Sequence, residues 1–244
     1  MDEKEAIAQA DHCVCLSHAD YAEMKGVARS ISVVRPYANP PKISARPFQD
    51  MLVENDAPAT TRGLDRFDLI LWGDWHRGNV SSSTWFFERV YPRLTGNNLQ
   101  VAVVGRLCEA LPRWIKELKN VHILGRVDNL HDFMNHSTIM VIYDRGGSGI
   151  SIKAMETLAA GKAFVGTKVG MRQVDLGTSR YKPSDSEEEL ADDIQNLLDS
   201  NDEIEKRQDV SISLYQNNFS KEHYQLSWDK IIASILNDQN NYMK

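Results

Sequence analysis

The chain has 244 residues, of which 42% are hydrophobic and 25% charged. This composition fits a folded globular protein with one large domain, or one domain and part of another. Its net charge of −6 at pH 7 excludes a basic field that would attract nucleic acid or anionic lipid, and no apolar run approaches the ~20 residues that span a bilayer. Three cysteines without zinc-binding spacing indicate thiols in a reducing compartment. We therefore expect a cytoplasmic location, with peripheral contact to a membrane left open.

Strand-like and helical patterns alternate along most of the chain. Apolar, β-branched runs predict strands over residues 12–17, 31–36, 67–73, 99–105, 121–125, 138–144 and 163–167. Helical patterns predict helices over residues 81–91, 109–118, 129–136 and 150–160. Several of the strands are continuous apolar runs, as expected where both faces of a sheet are covered. The alternation predicts an α/β fold with a Rossmann-like, doubly wound parallel sheet.

Two more helices are predicted near the carboxyl terminus. Ser186 and Glu189 form a capping box ahead of the first of them. Ser220 can cap the second, whose apolar stripe consists of Tyr224, Trp228, Ile231, Ile232, Ile235 and Leu236. Prolines interrupt every periodic pattern between the first two predicted strands and the main body, which predicts a linker. The predicted divisions are 1–36, a linker over 37–66, a main body over 67–210 and a final helical segment over 211–244.

The strongest local signal for a binding site is the run YDRGGSGISIKAMETLAAGKAFVGTKVG at 143–170. A strand is expected to end at Asp144, a turn with Gly147 and Gly149 follows, and a helix is expected to begin near Ile150. Such a turn leaves backbone amides open at a helix amino terminus, which suits a diphosphate. Ser148 or the Gly149 backbone is the expected cap.

Lys153 and Glu156 follow on one face of this helix, three residues apart, beside an expected buried stripe of Ile152, Met155 and Ala159. A lysine there can neutralise phosphate, and a carboxylate can accept hydrogen bonds from both hydroxyls of a ribose. The structural alternative is a plain glycine turn with a Lys153–Glu156 ion pair worth a few tenths of a kcal/mol.

A second strand end carries a polar loop. After Gly73 come Trp75, His76 and Arg77; Arg77 can pair with phosphate, and the two aromatic residues can lie against a base or sugar. The alternative is a solvated arginine and a packing tryptophan. Ligands in open α/β sheets bind at the carboxyl ends of strands, so two such junctions favour a site more strongly than one.

The third signal consists of two Gly-Arg pairs, Gly105-Arg106 and Gly125-Arg126, each of which closes a strand. Both arginines are expected at the ligand edge, although structural roles stay open. The backbone of Val127 and Asp128 follows where a loop can contact a base edge. The first strand is not followed by Gly-x-Gly-x-x-Gly, which argues against a dinucleotide site.

The order of these motifs over residues 67–170 resembles the carboxyl-terminal domain of GT-B glycosyltransferases. The resemblance is to the large retaining family, glycosyl transferases group 1, that includes sucrose- and mannosyl-transferring enzymes. The matching residues are Gly73 with Asn79, Trp85-Phe86 with Pro92 and Leu94, Val104-Gly105-Arg106, Gly125-Arg126-Val127-Asp128 and the run 146–170. Residues 3–36 resemble the last α/β unit of that family's amino-terminal domain, and the final helix resembles the one that packs back on that domain.

The resemblance implies a function. The chain is expected to be a hexosyltransferase-like enzyme, or its donor-binding portion, that transfers a sugar from a UDP- or GDP-linked donor without a metal or other cofactor. The acceptor (a glycan, a lipid-linked molecule or a small molecule) is left open. The alternative is a non-catalytic nucleotide-sugar-binding subunit that needs a partner chain; self-association is also left open. Under this division 67–210 binds the donor and 1–36 is a remnant of the acceptor domain.

The resemblance also implies roles for residues. Glu156 binds the ribose, Lys153 matches a lysine of one subtype, Arg77 lies in a phosphate-binding loop, and the glycine turn contacts the diphosphate and sugar. The predicted donor-binding residues are Gly73, His76, Arg77, Arg106, Val127, Asp128, Gly147, Ser148, Gly149, Lys153 and Glu156. No catalytic residue and no metal ligand is predicted.

The sequence departs from the family pattern in two ways. The family places a second glutamate eight positions before the ribose-binding one, and this chain has Ser148 there. The arginine that the glycine-rich subtype carries five positions before that glutamate is Ser151 here. A complete enzyme of this type needs two domains of ~150 residues each. We therefore expect a fragment, a subunit completed by a separately encoded chain, or a shortened homologue.

Overall fold

The computed structural model describes residues 2–41, 46–53, 58–95 and 98–242. The predicted linker and the final helical segment fall partly outside the described residues, at 42–45, 54–57 and 243–244. The strands are β1 Cys13–Cys15, β2 Ile31–Val33, β3 Phe67–Trp72, β4 Val101–Val104, β5 Val121–Gly125, β6 Ser137–Ile142 and β7 Ala163–Gly166. The helices are α1 Glu3–Gln9, α2 His18–Met24, α3 Arg77–Trp85, α4 Leu107–Ala110, α5 Arg113–Lys116, α6 Leu130–Phe133, α7 Ile152–Ala159, α8 Glu187–Leu198, α9 Asn201–Asn218 and α10 Lys221–Tyr242.

The main sheet has five parallel strands in the order β5-β4-β3-β6-β7. Its central strand is apolar on both faces because helices cover both: Leu69 and Leu71 belong to one core cluster, and Ile70 and Trp72 to the other. Leu69, Ile70 and Leu71 have no exposed surface. The predicted α/β fold with a doubly wound parallel sheet is confirmed.

The strand order places a crevice at the middle of this sheet. From β3 the chain moves outward through β4 to β5, and then returns to place β6 on the other side of β3. The connections after β3 and β6 therefore leave the sheet in opposite directions. In open α/β sheets a ligand crevice forms at this point, outside the carboxyl ends of the strands.

Several helices differ from their predicted bounds. Helix α7 begins at Ile152, and its cap is Ser151, whose hydroxyl accepts a hydrogen bond from the Ala154 amide at 3.3 Å. The predicted start at 150 with a cap at Ser148 or Gly149 was wrong, because the glycine turn continues to Gly149, whose φ of 64° is not helical. The expected buried stripe was also wrong in part: Ile152 is 53% exposed.

Helix α3 begins four residues before its predicted start, at Arg77, with the His76 imidazole accepting a hydrogen bond from the Gly78 amide at 3.1 Å. The predicted helix over 109–118 is two short helices, because Pro112 stands between them. The predicted caps at Ser186 and Ser220 are present. The Ser186 hydroxyl accepts a hydrogen bond from the Glu189 amide at 3.2 Å, and the Ser220 hydroxyl accepts one from the His223 amide at 3.1 Å.

Helix α9 was not predicted. Its first residues carry the capping signal of Ser200 and Glu203, and the Ser200 hydroxyl accepts a hydrogen bond from the Glu203 amide at 3.2 Å. Leu214 is buried, and Arg207 forms a two-bonded ion pair with Asp193 of α8 at 3.0 and 2.8 Å. Most of its surface is polar, so the apolar periodicity that reveals an amphipathic helix is weak here.

The described part of the predicted linker packs on the main body. Phe48 and Met51 are completely buried, in a short 3-10 turn, and the Phe48 ring contacts the Phe67 ring edge-on at 4.9 Å. The prolines predicted a stretch without periodic structure. The buried side chains of Phe48 and Met51 nevertheless attach it to the main body.

A second, smaller unit is formed by the amino-terminal residues. Strands β1 and β2 pair in parallel, and α10 lies against the same unit. The Tyr37 and Tyr224 rings are 5.1 Å apart. A shallow groove has Tyr21 and Val33 on one side and Ile231 of α10 on the other. Within the described residues, no helix has the length and apolar character needed to cross a bilayer.

Candidate functional site

A cavity of about 900 Å³ lies at the carboxyl edge of the main sheet, in the crevice between β3 and β6. Eight predicted binding residues line it: Gly73, His76, Arg106, Val127, Gly147, Ser148, Lys153 and Glu156. Residues that sequence analysis did not assign to the site also line it, among them Trp72, Asp74, Asn79, Asp144 and Arg172. A cavity of this size, with charged groups on an apolar floor, is typical of a small-molecule site.

Three predicted binding residues do not line the cavity. Arg77 lies exposed on the first turn of α3. Gly149 is part of the turn that precedes α7. Asp128 forms an ion pair with Arg46 at 2.8 Å, and its amide donates to the Met51 carbonyl oxygen at 2.8 Å. Trp75 is 60% exposed and also lies outside the lining.

Lys153 is held in the cavity wall by two oxygen atoms. Its Nζ contacts Asp144 Oδ1 at 2.5 Å and Asn79 Oδ1 at 2.7 Å, and its side chain is 11% exposed. Asp144 lies two residues after the end of β6, and its carbonyl oxygen accepts a hydrogen bond from the Thr167 hydroxyl. The structural alternative of a Lys153–Glu156 ion pair is therefore wrong, because the amine points across the crevice to Asp144.

Glu156 lies one turn further along α7, with its carboxylate between two other elements. Its Oε2 accepts a hydrogen bond from the Trp72 indole Nε1 at 3.2 Å. Its Oε1 is 3.6 Å from His131 Nε2. The side chain is 23% exposed, so the carboxylate is partly open to the cavity.

Arg172 closes the cavity beneath the glycine turn. Its guanidinium contacts Asp144 Oδ2 at 3.4 Å and the Val169 carbonyl oxygen at 3.0 Å. Gly147 has a φ of 144°, and a Cβ there would lie 2.8 Å from the guanidinium carbon. Glycine is therefore required where the turn passes over Arg172. Arg172 lies far from the turn in sequence, and no motif marked it.

An exposed ion pair lies at the opposite rim. The Arg106 guanidinium makes two hydrogen bonds to Asp74, one of them from Nη2 to Oδ2 at 2.6 Å. These bonds lower the pKa of Asp74 to about 2. The adjoining loops approach closely: Gly105 has a φ of 101°, and a Cβ there would lie 2.3 Å from the Gly73 carbonyl oxygen.

Val127 lines the cavity, and the bridge that it forms with Leu52 does not use its own N–H and C=O. Leu52 and Val127 form an antiparallel bridge, in which the Val53 amide donates to the Arg126 carbonyl oxygen at 3.0 Å and Asp128 bonds to Met51 on the other side. In this arrangement the paired residue's own N–H and C=O point away from the bridge. Within the described residues neither group of Val127 has a hydrogen-bond partner.

In the part of the chain that the structure describes, no three His, Cys, Asp or Glu side chains are clustered so as to hold a metal ion. The groups that the candidate site offers to a ligand are the backbone amides of the glycine turn, the side chains of Lys153 and Arg172 around Asp144, and the carboxylate of Glu156.

Comparison with protein families identifies the chain. The sequence model of glycosyl transferases group 1 matches residues 66–200, more than half of the chain. The chain belongs to this family. The match covers the whole main sheet and every residue that lines the cavity. No curated protein matches the sequence.

Solved structures of several enzymes share the fold. HepE of Anabaena, in complex with UDP and glucose, matches with a TM-score of 0.69 and 12% identity, over 93% of this chain and 65% of that one. Sucrose-phosphate synthase of Thermosynechococcus elongatus matches with a TM-score of 0.63 and 17% identity, over 97% of this chain and 61% of that one. A glycosyltransferase of Rickettsia africae matches with a TM-score of 0.71 and 15% identity, over 97% of this chain and 68% of that one. The chain thus spans about two thirds of the length of these GT-B glycosyltransferases.

Proposed function

We propose that this family member binds a UDP- or GDP-linked sugar in the cavity and transfers the hexosyl group to an acceptor, without a metal ion. The observation that carries the proposal is the arrangement on α7. Lys153 and Glu156, one turn apart, both face a cavity whose rim is an uncovered glycine turn. A diphosphate and a ribose are the two chemical groups that this pair suits.

The donor is proposed to lie along the crevice in a fixed direction. The base contacts the Val127 backbone, where one N–H and one C=O are open. The ribose hydroxyls donate to Glu156, and the diphosphate lies between Lys153 and the amides of the turn at Gly147–Gly149. His76 and Gly73 form the wall on the β3 side.

The same groups favour departure of the nucleotide. As the bond from the anomeric carbon to the diphosphate oxygen breaks, negative charge grows on the diphosphate. An amine and oriented backbone amides stabilise that charge without reorganising, because they are already held in place. Lys153 is fixed by Asp144 and Asn79 before any ligand arrives. Its proposed contribution is therefore to the rate as well as to binding.

The similar structures support a nucleotide-sugar ligand. One neighbour was determined with UDP and glucose bound, and it is similar over the main sheet and its crevice. The cysteines among the described residues are free thiols, which supports a reducing, cytoplasmic setting for the reaction.

A second candidate is a nucleotide-sugar-binding subunit that is active only with a partner chain. The observation that favours it is exposed apolar surface on the smaller unit and α10: Leu16, Ile232 and Leu236 are 56%, 50% and 54% exposed. Large apolar residues grouped on a surface often mark a contact with another chain. Hydrolysis or transfer of a bound UDP-sugar by the chain alone would exclude this candidate.

Calorimetric titration with UDP, GDP and uridine tests the proposal. Glu156→Ala should weaken binding of the preferred diphosphate about 10- to 150-fold, the range for loss of a hydrogen bond to a charged group. Glu156→Gln should restore little, because only one of its atoms can accept. Added EDTA should leave the affinity unchanged. Unaltered binding by a folded Glu156→Ala variant would show that the ribose assignment is wrong, and a steep magnesium requirement would contradict metal-free binding.

A further inference from the structure

The carboxylate of Glu156 is contacted on both oxygens by side chains from different elements. Trp72, the last residue of β3, donates its indole N–H to Oε2 at 3.2 Å. His131, in the first turn of α6, places Nε2 at 3.6 Å from Oε1. A carboxylate has about four acceptor positions on its two oxygens. The indole N–H occupies one of them. His131 Nε2 lies beyond hydrogen-bond distance of Oε1 and forms an ionic contact with it when the imidazole is protonated, and the remaining acceptor positions are available at the cavity.

The two contacts differ in rigidity. Trp72 is 3% exposed, is packed in the sheet core, and its carbonyl oxygen accepts a hydrogen bond from the buried Tyr143 hydroxyl at 3.0 Å. The direction of its indole N–H is therefore set by the sheet. The His131 side chain is 35% exposed and sits on a short helix whose first turn is capped by Asn129.

A free glutamate side chain samples many rotamers, and fixing it on binding costs conformational entropy. A carboxylate that is already oriented accepts two adjacent hydroxyls without that cost. A purely structural reading is that Glu156 only satisfies the buried indole N–H. That reading leaves the cavity-facing acceptor positions without a role, and it makes no distinction between ligands with and without a ribose diol.

We infer that Trp72 and His131 are positioning residues that hold the Glu156 carboxylate ready for the two ribose hydroxyls of the donor. This inference rests on the proposed nucleotide-sugar function. It assigns ribose selectivity to three side chains from β3, α6 and α7, where the proposed function needs only one.

Comparing UDP with 2′,3′-dideoxy-UDP tests the inference, because the two ligands differ only in the diol. The protein should bind UDP more tightly than the dideoxy compound. Trp72→Phe, which keeps an aromatic ring and removes the N–H, should weaken UDP binding about 5- to 30-fold. This is less than the roughly 10- to 150-fold expected for a direct hydrogen bond to a charged group, because the Glu156 carboxylate itself remains. It should change binding of the dideoxy compound less than about twofold. Trp114→Phe, at a surface tryptophan outside the cavity, is the matched control and should alter neither.

His131 provides a second test that does not disturb the core. His131→Leu should lower UDP affinity and spare the dideoxy compound, and His131→Gln, which restores a donor, should recover part of the loss. Equal losses for both ligands, or undiminished preference for UDP in both the Trp72 and His131 variants, would overturn the inference alone. If the unaltered protein shows no preference for UDP over the dideoxy compound, the ribose role of Glu156 fails, and the inference with it.

Discussion

Replacement of Lys153 separates its structural from its binding role. Lys153 and Asp144 are each 11% exposed and in contact at 2.5 Å, and removal of one partner of a buried pair costs about 3–5 kcal/mol. Arg172 remains 3.4 Å from Asp144 and offsets part of that cost. We therefore expect Lys153→Met to lower the free energy of unfolding by about 2–3 kcal/mol. The measurement is urea unfolding followed by circular dichroism.

The double variant Lys153→Met/Asp144→Asn removes both charges and should return the free energy of unfolding to within about 1 kcal/mol of the unaltered protein. Its UDP affinity should stay about 10- to 150-fold lower than that of the unaltered protein, because the amine that is proposed to contact the diphosphate is still missing. Uridine, which lacks phosphate, should bind almost equally to all three proteins. Recovery of UDP affinity together with stability would refute the reasoning, since Lys153 would then act only as the partner of Asp144.

Three further predictions follow from local geometry. Gly105→Ala should destabilise the protein by more than about 2 kcal/mol, because the φ of this residue is positive and the new Cβ would meet a backbone carbonyl oxygen. Gly146→Ala is the control, since a Cβ at Gly146 would have no other atom within 4 Å. Equal unfolding midpoints for the two variants would contradict the expected strain at Gly105. In an NMR titration the carboxyl of Asp74 should show its lowered pKa of about 2. The ion pair with Arg106 should therefore be fully formed at pH values above the ordinary carboxyl pKa of 3.8 and be lost as the pH falls through about 2. A titration midpoint near 3.8 would mean that the pair does not persist in solution. Ile231→Ala should lower the unfolding free energy by about 2 kcal/mol and Ile232→Ala by under about 0.5, since the first is 8% and the second 50% exposed; similar losses would show that α10 does not dock on the smaller unit through this face.

The strands could be predicted from sequence because their signal is local. Each central strand is a short, continuous apolar run, and a run of that kind can be stable only when both faces are covered. The match is closest at 121–125, where prediction and structure coincide. Helix α9 was not predicted because it buries few apolar side chains, so that its apolar pattern is weak. The only local signal for it is the amino-terminal cap formed by Ser200 and Glu203.

The site was predictable where its residues share a helix face or lie at or just after an expected strand end, as Gly73, Arg106 and Val127 do. Lys153 and Glu156 could be found together because helical spacing puts them on one face. Arg172 and Trp72 could not, since they reach the cavity from strand ends and loops that only the fold brings near. The 46–53 segment is a similar case. Its prolines indicated a linker, but Phe48 is buried beneath the sheet, and no periodic pattern can predict a single long-range contact.

The charges of the cavity support the proposal of a phosphorylated ligand. Four cationic and three anionic side chains line it. Asp74 is paired with Arg106 at the rim, and Arg126 also lies near Asp74 on that side. At the other end a single carboxylate, Asp144, lies between Lys153 and Arg172. These two cations share one carboxylate, so this end of the cavity, beside the glycine turn, carries a net positive charge. Under the proposed function, the diphosphate binds at this end and the nucleoside lies along the crevice toward Glu156.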